Sequence, residues 1–375
     1  MALATALILT AIWVSGVTPA FGVDAKCVVS PIVKSRKLNT HLVGLDLRVG
    51  NFKLRKQPGR LAIAKIAANS GLALRNVMPT AATPHLVSSL LQISDLALLI
   101  NGGYFDLFKF ETKGKIVEGG RLTSWTQIRS HQLSLLTNGK LSPSDLRTSV
   151  SVSPFDKPIF SGAVNAQVLG DAFSIFTDKY PSIAAPPGAL TIVASEAGIV
   201  SALHQPGVLL QPHTGQVVMQ IPEHQMSSFT GLQKGSDLKL KYEATTTLGE
   251  SVTESFGVGP TILRAGRLVQ ECNKINQEIA PRAAIGWNAK GELFLATASS
   301  GQAVSVLIGR SGGATTTQMA RWLRSAGASN AVLLDGGGSV CFFVKLHSRW
   351  VRLDEPYAID ARPLPNAIGI FKTSR

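Results

Sequence analysis

Two stretches, LALLINGGYFD at residues 96–106 and AVLLDGGGSV at residues 331–340, carry the same pattern far apart in the chain. Each runs an apolar segment into a polar residue and then consecutive glycines, with Asn101 in the first copy and Asp335 in the second. A short apolar run bounded by glycines is typical of a buried strand. Glycines let backbone N–H groups approach a ligand and adopt positive φ, although tight turns use them too. Two such loops favour a shared pocket.

A helix is expected before each of these strands. Thr83 and Pro84 predict one helix start, followed by apolar residues at helical spacing at 86, 87, 90 and 91. Near the carboxyl end, Thr315 or Thr316 is the predicted cap, and Gly327 ends the helix before the strand at 331–334. Both polar-glycine loops would then lie at the carboxyl end of a strand that follows a helix. Ligands bind at that position in open α/β sheets.

The rest of the chain indicates strands and turns. Hairpins are predicted at Asn138-Gly139, at Lys290-Gly291 and over residues 189–203, and an edge hairpin over 26–60. Thirty-five glycines and nineteen prolines in 375 residues favour a loop-rich, strand-rich fold. We predict an α+β fold, a strand-dominated mixed sheet domain with a few short helices. Residues 26–89 would form N-terminal strands and a helix packing on the core, and residues 90–375 the main domain.

The N-terminal residues 1–25 form an uncharged apolar run that ends in small residues. This pattern predicts an export signal and hence a periplasmic or extracellular protein, although no Lys or Arg precedes the run, so a retained anchor stays open. No later segment is apolar enough to suggest a further membrane span. Cys27, Cys272 and Cys341 show no zinc-ligand spacing, and pairing of Cys272 with Cys341 stays open.

A formal net charge of +14 favours anionic partners. The basic residues are scattered and no helix interleaves them with aromatic residues, which argues against nucleic acid. An acidic glycan or a phosphate-bearing envelope polymer fits the charge better. We expect no cofactor, although Asp335 and Asp106 leave a divalent cation open.

Arg282 opens an apolar strand in PRAAIGWNAKGELFLATA, residues 281–298. A guanidinium is the natural bidentate partner of a phosphate, although most arginines are surface cations. With NGGYFD, GVGPTILRAGR, VLLDGGGSVCFF and ARPLPNAIGIF in this order, the sequence resembles the phosphodiester glycosidase family over roughly residues 90–375. It departs from the family after DGGGS, where VCFFVKLHSRWVRLDEP is bulkier and more basic than expected.

The resemblance implies hydrolysis of a sugar-1-phosphodiester, of the N-acetylglucosamine type, to a free sugar and a phosphomonoester. It implies catalytic roles for Asp335, Asn101 and Arg282. Asp335 would be a general base or stabilise an oxocarbenium ion, Asn101 would orient a substrate group, and Arg282 would neutralise phosphate. The substrate-binding residues that it implies are Gly102, Gly103, Tyr104, Phe105, Gly286, Gly336, Gly337, Gly338 and Ser339.

Other functions fit the same residues. A non-catalytic exported protein could use the loops to bind an anionic envelope polysaccharide, and a phosphodiesterase could cut the P–O bond instead. Asp335 could also be a turn cap, a common use of aspartate.

Overall fold

Antiparallel strands make up most of the computed structural model, and two short α-helices occur among its described residues. The described residues are 35–54, 57–80, 83–108, 110–125, 131–155, 160–165, 172–269, 277–300, 312–355 and 361–373. The predicted export signal, Cys27 and Cys272 lie outside them.

The strands of the N-terminal half are β1 (Arg36–Leu38), β2 (Leu45–Leu54), β3 (Gln57–Ile66), β4 (Leu72–Val77), β5 (Leu96–Asn101), β6 (Lys115–Glu118), β7 (Arg121–Trp125), β8 (His131–Leu136), β9 (Leu141–Ser142), β10 (Leu146–Pro154), β11 (Phe160–Val164), β12 (Phe173–Thr177) and β13 (Ile183–Ala184). Those of the C-terminal half are β14 (Ala189–Ser195), β15 (Val200–His204), β16 (Leu209–Leu210), β17 (Gln216–Pro222), β18 (Leu238–Thr246), β19 (Val252–Val258), β20 (Thr261–Arg264), β21 (Arg267–Leu268), β22 (Arg282–Trp287), β23 (Leu293–Ser299), β24 (Asn330–Leu333), β25 (Phe342–Leu346), β26 (Arg349–Arg352) and β27 (Ala367–Lys372). The helices are α1 (Val87–Leu90) and α2 (Thr316–Ala326), with 3-10 turns at Glu223–Phe229 and Gly337–Ser339.

Four larger sheets and one two-stranded sheet, β13-β16, organise these strands. Sheet I has the order β1-β2-β3-β23-β22-β24-β20-β21, and sheet II the order β26-β25-β5-β27-β4. Sheet III is β7-β6-β19-β8-β9, and sheet IV is β15-β14-β17-β12-β11-β10-β18. β2 and β3 belong to sheet I and β4 to sheet II, so strands from the first 77 residues pair with strands from near the end of the chain. The domain boundary at residue 89 stays a prediction.

Sheets I and II share one apolar core, because alternate residues of their strands point toward each other. Ile285 and Val332 of sheet I lie in the same buried cluster as Leu98 and Ile368 of sheet II. Helix α2 packs through Trp322 and its neighbours on the opposite face of sheet I, and α1 packs on the opposite face of sheet II. The layers therefore run helix, sheet, sheet, helix. Sheets III and IV share a second apolar core.

The strand-dominated fold is confirmed, whereas the α+β class overstated the helices. Helix α2 begins after Thr315, whose side chain accepts a hydrogen bond from the Gln318 N–H, and ends at Gly327 with φ 110°, as predicted. Helix α1 has only four residues and does not begin at Thr83-Pro84. The reason is a pair of backbone hydrogen bonds, 2.8 and 2.9 Å, between His85 and Leu364, which keeps residue 85 extended.

The hairpins predicted at Asn138-Gly139, at Lys290-Gly291 and over 189–203 are present. β1, from the predicted edge segment, lies at the edge of sheet I. Within the described residues, none of the helices combines the length and the apolar character that crossing a membrane requires.

Candidate functional site

The two polar-glycine loops meet, although their strands belong to different sheets. β5 lies in the middle of sheet II and β24 inside sheet I. The Asn101 Nδ2 donates to the Asp335 carbonyl at 2.8 Å, and the Asp335 N–H donates to the Gly102 carbonyl at 3.1 Å. Each loop follows the carboxyl end of its strand, as predicted, but both strands pair with antiparallel neighbours, unlike the strands of an open α/β sheet. The facing of sheets I and II brings the loops together.

Asn101 is fully buried, and its amide is used inside the protein. Besides the Asp335 carbonyl, Nδ2 donates to the Gly102 carbonyl at 3.2 Å, and Oδ1 accepts from the Cys341 N–H at 3.3 Å. Both amide hydrogens and one oxygen lone pair are thereby occupied. This geometry ties the two loops together and leaves little of the side chain for a substrate.

The first glycine pair is required by close packing and not by positive φ. A β-carbon on Gly103 would lie 1.5 Å from the Gly257 carbonyl oxygen of β19, and one on Gly102 would lie 1.7 Å from Asn366 Oδ1. Gly337, in the second loop, does adopt positive φ, at 59°. The loop from β5 therefore presses against both sheet III and the segment before β27.

Backbone amides of the second loop are partly used within the fold. The Gly336 N–H donates to Asp335 Oδ1 at 3.0 Å, and the Gly337 N–H donates to the Pro281 carbonyl at 3.0 Å. These two amides cannot serve a bound anion at the same time. Positive charge near Asp335 must therefore come largely from side chains.

Asp335 is the carboxylate at the junction, and its side chain is 16% exposed. Burial raises the pKa of the Asp335 carboxyl above its ordinary value. The Ser339 hydroxyl, the Gly336 N–H and the Arg362 guanidinium act in the opposite direction on that pKa. Desolvation and nearby hydrogen-bond donors thus shift the pKa of this carboxyl in opposite directions, as in many acid-base sites.

Arg362 is a site residue that the sequence analysis missed. Its Nη2 lies 3.8 Å from Asp335 Oδ2 and donates to the Ser339 hydroxyl, and its guanidinium lies 5.1 Å from the centre of the Phe105 ring. The motif ARPLPNAIGIF carried the resemblance, but its arginine was not selected. The sequence did contain a signal: Arg362 is a basic residue within a motif that supports the family resemblance together with the two glycine loops.

Arg282 lies beside the same junction. β22 pairs with β24 so that Ala284 faces Leu333, and continuing this register by two residues places Arg282 opposite Asp335. Its Nε donates to the Ala314 carbonyl at 3.4 Å and its Nη2 to the Glu278 carbonyl at 3.2 Å. Burial lowers the pKa of Arg282, yet an arginine stays charged in proteins.

Tyr104 is close to both charges. Burial first, and the Asp335 carboxylate second, raise the pKa of its phenol, whereas Arg282 acts to lower it. Its ring also lies against Gly259, where a β-carbon would come within 2.7 Å. The phenol is therefore neutral near pH 7 and can donate a hydrogen bond in this site.

Gly286 lies apart from the other predicted site residues. It is four residues along β22 from Arg282, about 13 Å in a strand, and a β-carbon there would lie 3.1 Å from the Asn330 carbonyl oxygen. A cavity of about 490 Å³ opens near that end of β22, where Trp287 lines it, and none of the predicted site residues does. Gly286 is thus explained by packing.

A buried ion pair supports the segment after the second loop. Asp354 Oδ1 accepts from the Phe342 N–H at 2.8 Å, and Arg352 donates to both oxygens of that carboxylate. Cys341, the residue before Phe342, is a free, fully buried thiol, and burial raises its pKa. The basic character of VCFFVKLHSRWVRLDEP therefore includes a structural pair behind the loop.

No trio of His, Cys, Asp or Glu positioned to hold a metal ion occurs in the described part of the chain. Asp106 uses Oδ1 to accept from the Phe108 N–H at 2.9 Å, in a turn. The residues present thus provide a carboxylate, two arginines and a phenol.

The fold and site define a strand-dominated protein with a half-buried carboxylate beside Arg362, where two sheets meet. Residues 189–371 match the family model of the phosphodiester glycosidases. The resemblance seen in the motifs is confirmed over this part of the chain, which contains Arg282, Asp335 and Arg362 but not the Asn101 loop. None of the curated proteins matches this sequence.

Several solved structures align with this chain at low sequence identity. A hypothetical protein from Synechocystis aligns with TM-score 0.66 at 19% identity over 90% of this chain and 64% of its own. A predicted exported protein from Burkholderia pseudomallei aligns with TM-score 0.63 at 17% identity over 84% of this chain and 74% of its own. The catalytic domain of zebrafish N-acetylglucosamine-1-phosphodiester alpha-N-acetylglucosaminidase aligns with TM-score 0.42 at 13% identity, over 92% and 89%. The chain therefore spans less than two thirds of the Synechocystis protein.

Proposed function

We propose that this protein is an exported hydrolase that cleaves a sugar-1-phosphodiester to a free sugar and a phosphomonoester. The observation that carries the proposal is the half-buried Asp335 carboxylate, which has Arg362 at 3.8 Å and lies near the phenol of Tyr104, a group that Arg282 also influences. The family match and the apolar run at residues 1–25 support the reaction class and the export. A substrate of the N-acetylglucosamine-1-phosphodiester type is the specific form that we propose.

The leaving group explains why one carboxylate can suffice. Ordinary glycosidases use two carboxyl groups, one of which protonates the departing alcohol. A phosphomonoester has a second pKa near ~6, so it leaves largely without a proton if its charge is stabilised. Arg362 and the phenol of Tyr104 lie near the carboxylate, and Arg282 lies near that phenol, which matches this requirement.

Each residue has a role in the proposed reaction. Asp335 stabilises positive charge at the anomeric carbon or activates water, and Arg282 and Arg362 bind the phosphate. Asn101 holds the two loops in place, which replaces the substrate contact first expected for it. Ser339 bridges Arg362 to Asp335 and orients both.

Release of N-acetylglucosamine from UDP-N-acetylglucosamine tests the proposal. Asp335→Asn should lower turnover by at least about 100-fold. The unfolding temperature at pH 7 should not fall, because burial already disfavours the ionised carboxylate. Asp46→Asn, on the exposed face of sheet I, is the matched control and should retain activity. Full turnover by Asp335→Asn would remove this residue from the mechanism.

Isotopically labelled water separates the proposal from its alternatives. Cleavage of the C–O bond puts the label in the sugar, whereas a phosphodiesterase would put it in the phosphate. Tight binding of the sugar phosphodiester without any product would indicate a binding protein instead.

A further inference from the structure

The loop that follows the first glycine pair ends in an exposed apolar tip. Leu107 is 60% exposed and Phe108 is 94% exposed, and they are adjacent in the chain. A phenylalanine leaves most of its favourable burial energy unused when it is this exposed. This exposed apolar pair is therefore a candidate site for contact with a membrane or with another molecule.

Hydrogen bonds connect the described residues before and after the tip in a hairpin. The Lys113 N–H donates to the Tyr104 carbonyl at 2.8 Å, and the Asp106 N–H donates to the Glu111 carbonyl at 2.9 Å. The Asp106 side chain accepts from the Phe108 N–H at 2.9 Å, and the Phe110 N–H donates to the Asp106 carbonyl at 2.8 Å. These hydrogen bonds tie the described residues on either side of the tip to one another.

This hairpin is continuous with the candidate site. The Phe110 ring stacks on Phe105 with 6.0 Å between centres, and Phe105 lies under the Arg362 guanidinium next to Asp335. The same hairpin therefore carries both the exposed tip and Phe105 of the candidate site.

The shape and the charge favour one partner. A stable protein interface needs about 800 Å² from each side, far more than two side chains supply. A bilayer accepts a convex apolar tip, and aromatic rings are favoured at its interface. The chain carries +14, with Lys113 at the base of the hairpin, which anionic headgroups attract.

We propose that Leu107 and Phe108 insert into the surface of an anionic lipid bilayer and dock the candidate site against it. This surface would bring the site to phosphodiesters displayed at a membrane. The docking does not depend on the hydrolysis proposed above, since it concerns the tip alone.

The test measures whether the tip itself enters the bilayer. Total vesicle binding would not show this, because the apolar residues 1–25 can bind vesicles by themselves. Phe108→Trp in the full chain is mixed with vesicles of phosphatidylglycerol and phosphatidylcholine brominated on its acyl chains. Leu248→Trp, at an 82% exposed position in the turn between β18 and β19, is the matched control.

We expect the Phe108→Trp emission to shift to shorter wavelength and to be quenched beyond that of the parent protein, with the Leu248→Trp emission unchanged. Adding Leu107→Ser to Phe108→Trp should raise, by about 10-fold, the lipid concentration that is needed for half of this quenching. High salt should weaken it further. Equal quenching of both tryptophans, or none at position 108, would overturn the proposal, whatever the turnover of the protein.

Discussion

Asn101→Ala tests whether this amide joins the two loops or contacts substrate. The substitution removes the hydrogen bonds to the Asp335 carbonyl and from the Cys341 N–H, and both partners lie in buried or half-buried backbone. Each buried group left unpaired costs about 1–3 kcal/mol. We therefore expect the free energy of unfolding to fall by about 2–6 kcal/mol. Catalysis should fall as well, since displacing a reacting group by about 1 Å can cost about 100-fold.

Urea unfolding followed by tryptophan fluorescence measures the loss, and sugar release measures the catalytic effect. Asn138→Ala is the control, because this exposed residue only accepts a hydrogen bond from the Lys140 N–H in a turn. Its cost should stay within about 0.5 kcal/mol. If Asn101→Ala unfolds like the parent and raises only KM, Asn101 is a substrate ligand and the positioning role is wrong.

Three other substitutions test packing, support and charge around the site. Gly103→Ala places a β-carbon 1.5 Å from a carbonyl oxygen and should cost about 1–3 kcal/mol or more in urea unfolding, whereas Gly338→Ala, with its nearest atom at 3.8 Å, should be nearly neutral. Asp354→Leu removes the main carboxylate partner of the buried Arg352 and should lower stability by about 3–5 kcal/mol in thermal unfolding, whereas replacing both residues of the pair by apolar ones should largely restore it. Arg362→Gln removes a cation that lowers the pKa of Asp335, so the acid limb of the rate profile should move to higher pH; an unmoved limb would contradict this.

Local features of the fold were predictable because they depend on neighbouring residues. Asn138-Gly139 and Lys290-Gly291 set their turns through glycine at positive φ, 77° and 75°. Helix α2 was predictable from the Thr315 cap and from Gly327, since both act within a few residues. The four-residue α1 was not, because the pairing of His85 with a residue near the end of the chain overrides the local start signal.

Long-range placement could not be derived from spacing. Similar patterns around Asn101 and Asp335 indicated a shared location, but not that their strands lie in two facing sheets. Nor could the pattern show that Gly102 and Gly103 are small because other segments press on them. Arg362 carried a weak signal, since one arginine in a proline-rich stretch has many possible uses until its contacts with Ser339 and Phe105 are known.

The charge of Asp335 and its position depend on the same junction. Its backbone is held by Asn101 from sheet II, while its ionisation is favoured by Arg362 from the segment before β27 and by Ser339 from its own loop. Burial alone would favour the protonated form, so the arginine and hydroxyl are what keep a carboxylate available in a half-buried place. A change that separates sheets I and II would therefore alter proton affinity together with geometry. For this reason the pH profile, and not the rate at one pH, is the measurement that distinguishes a displaced Asp335 from an absent one.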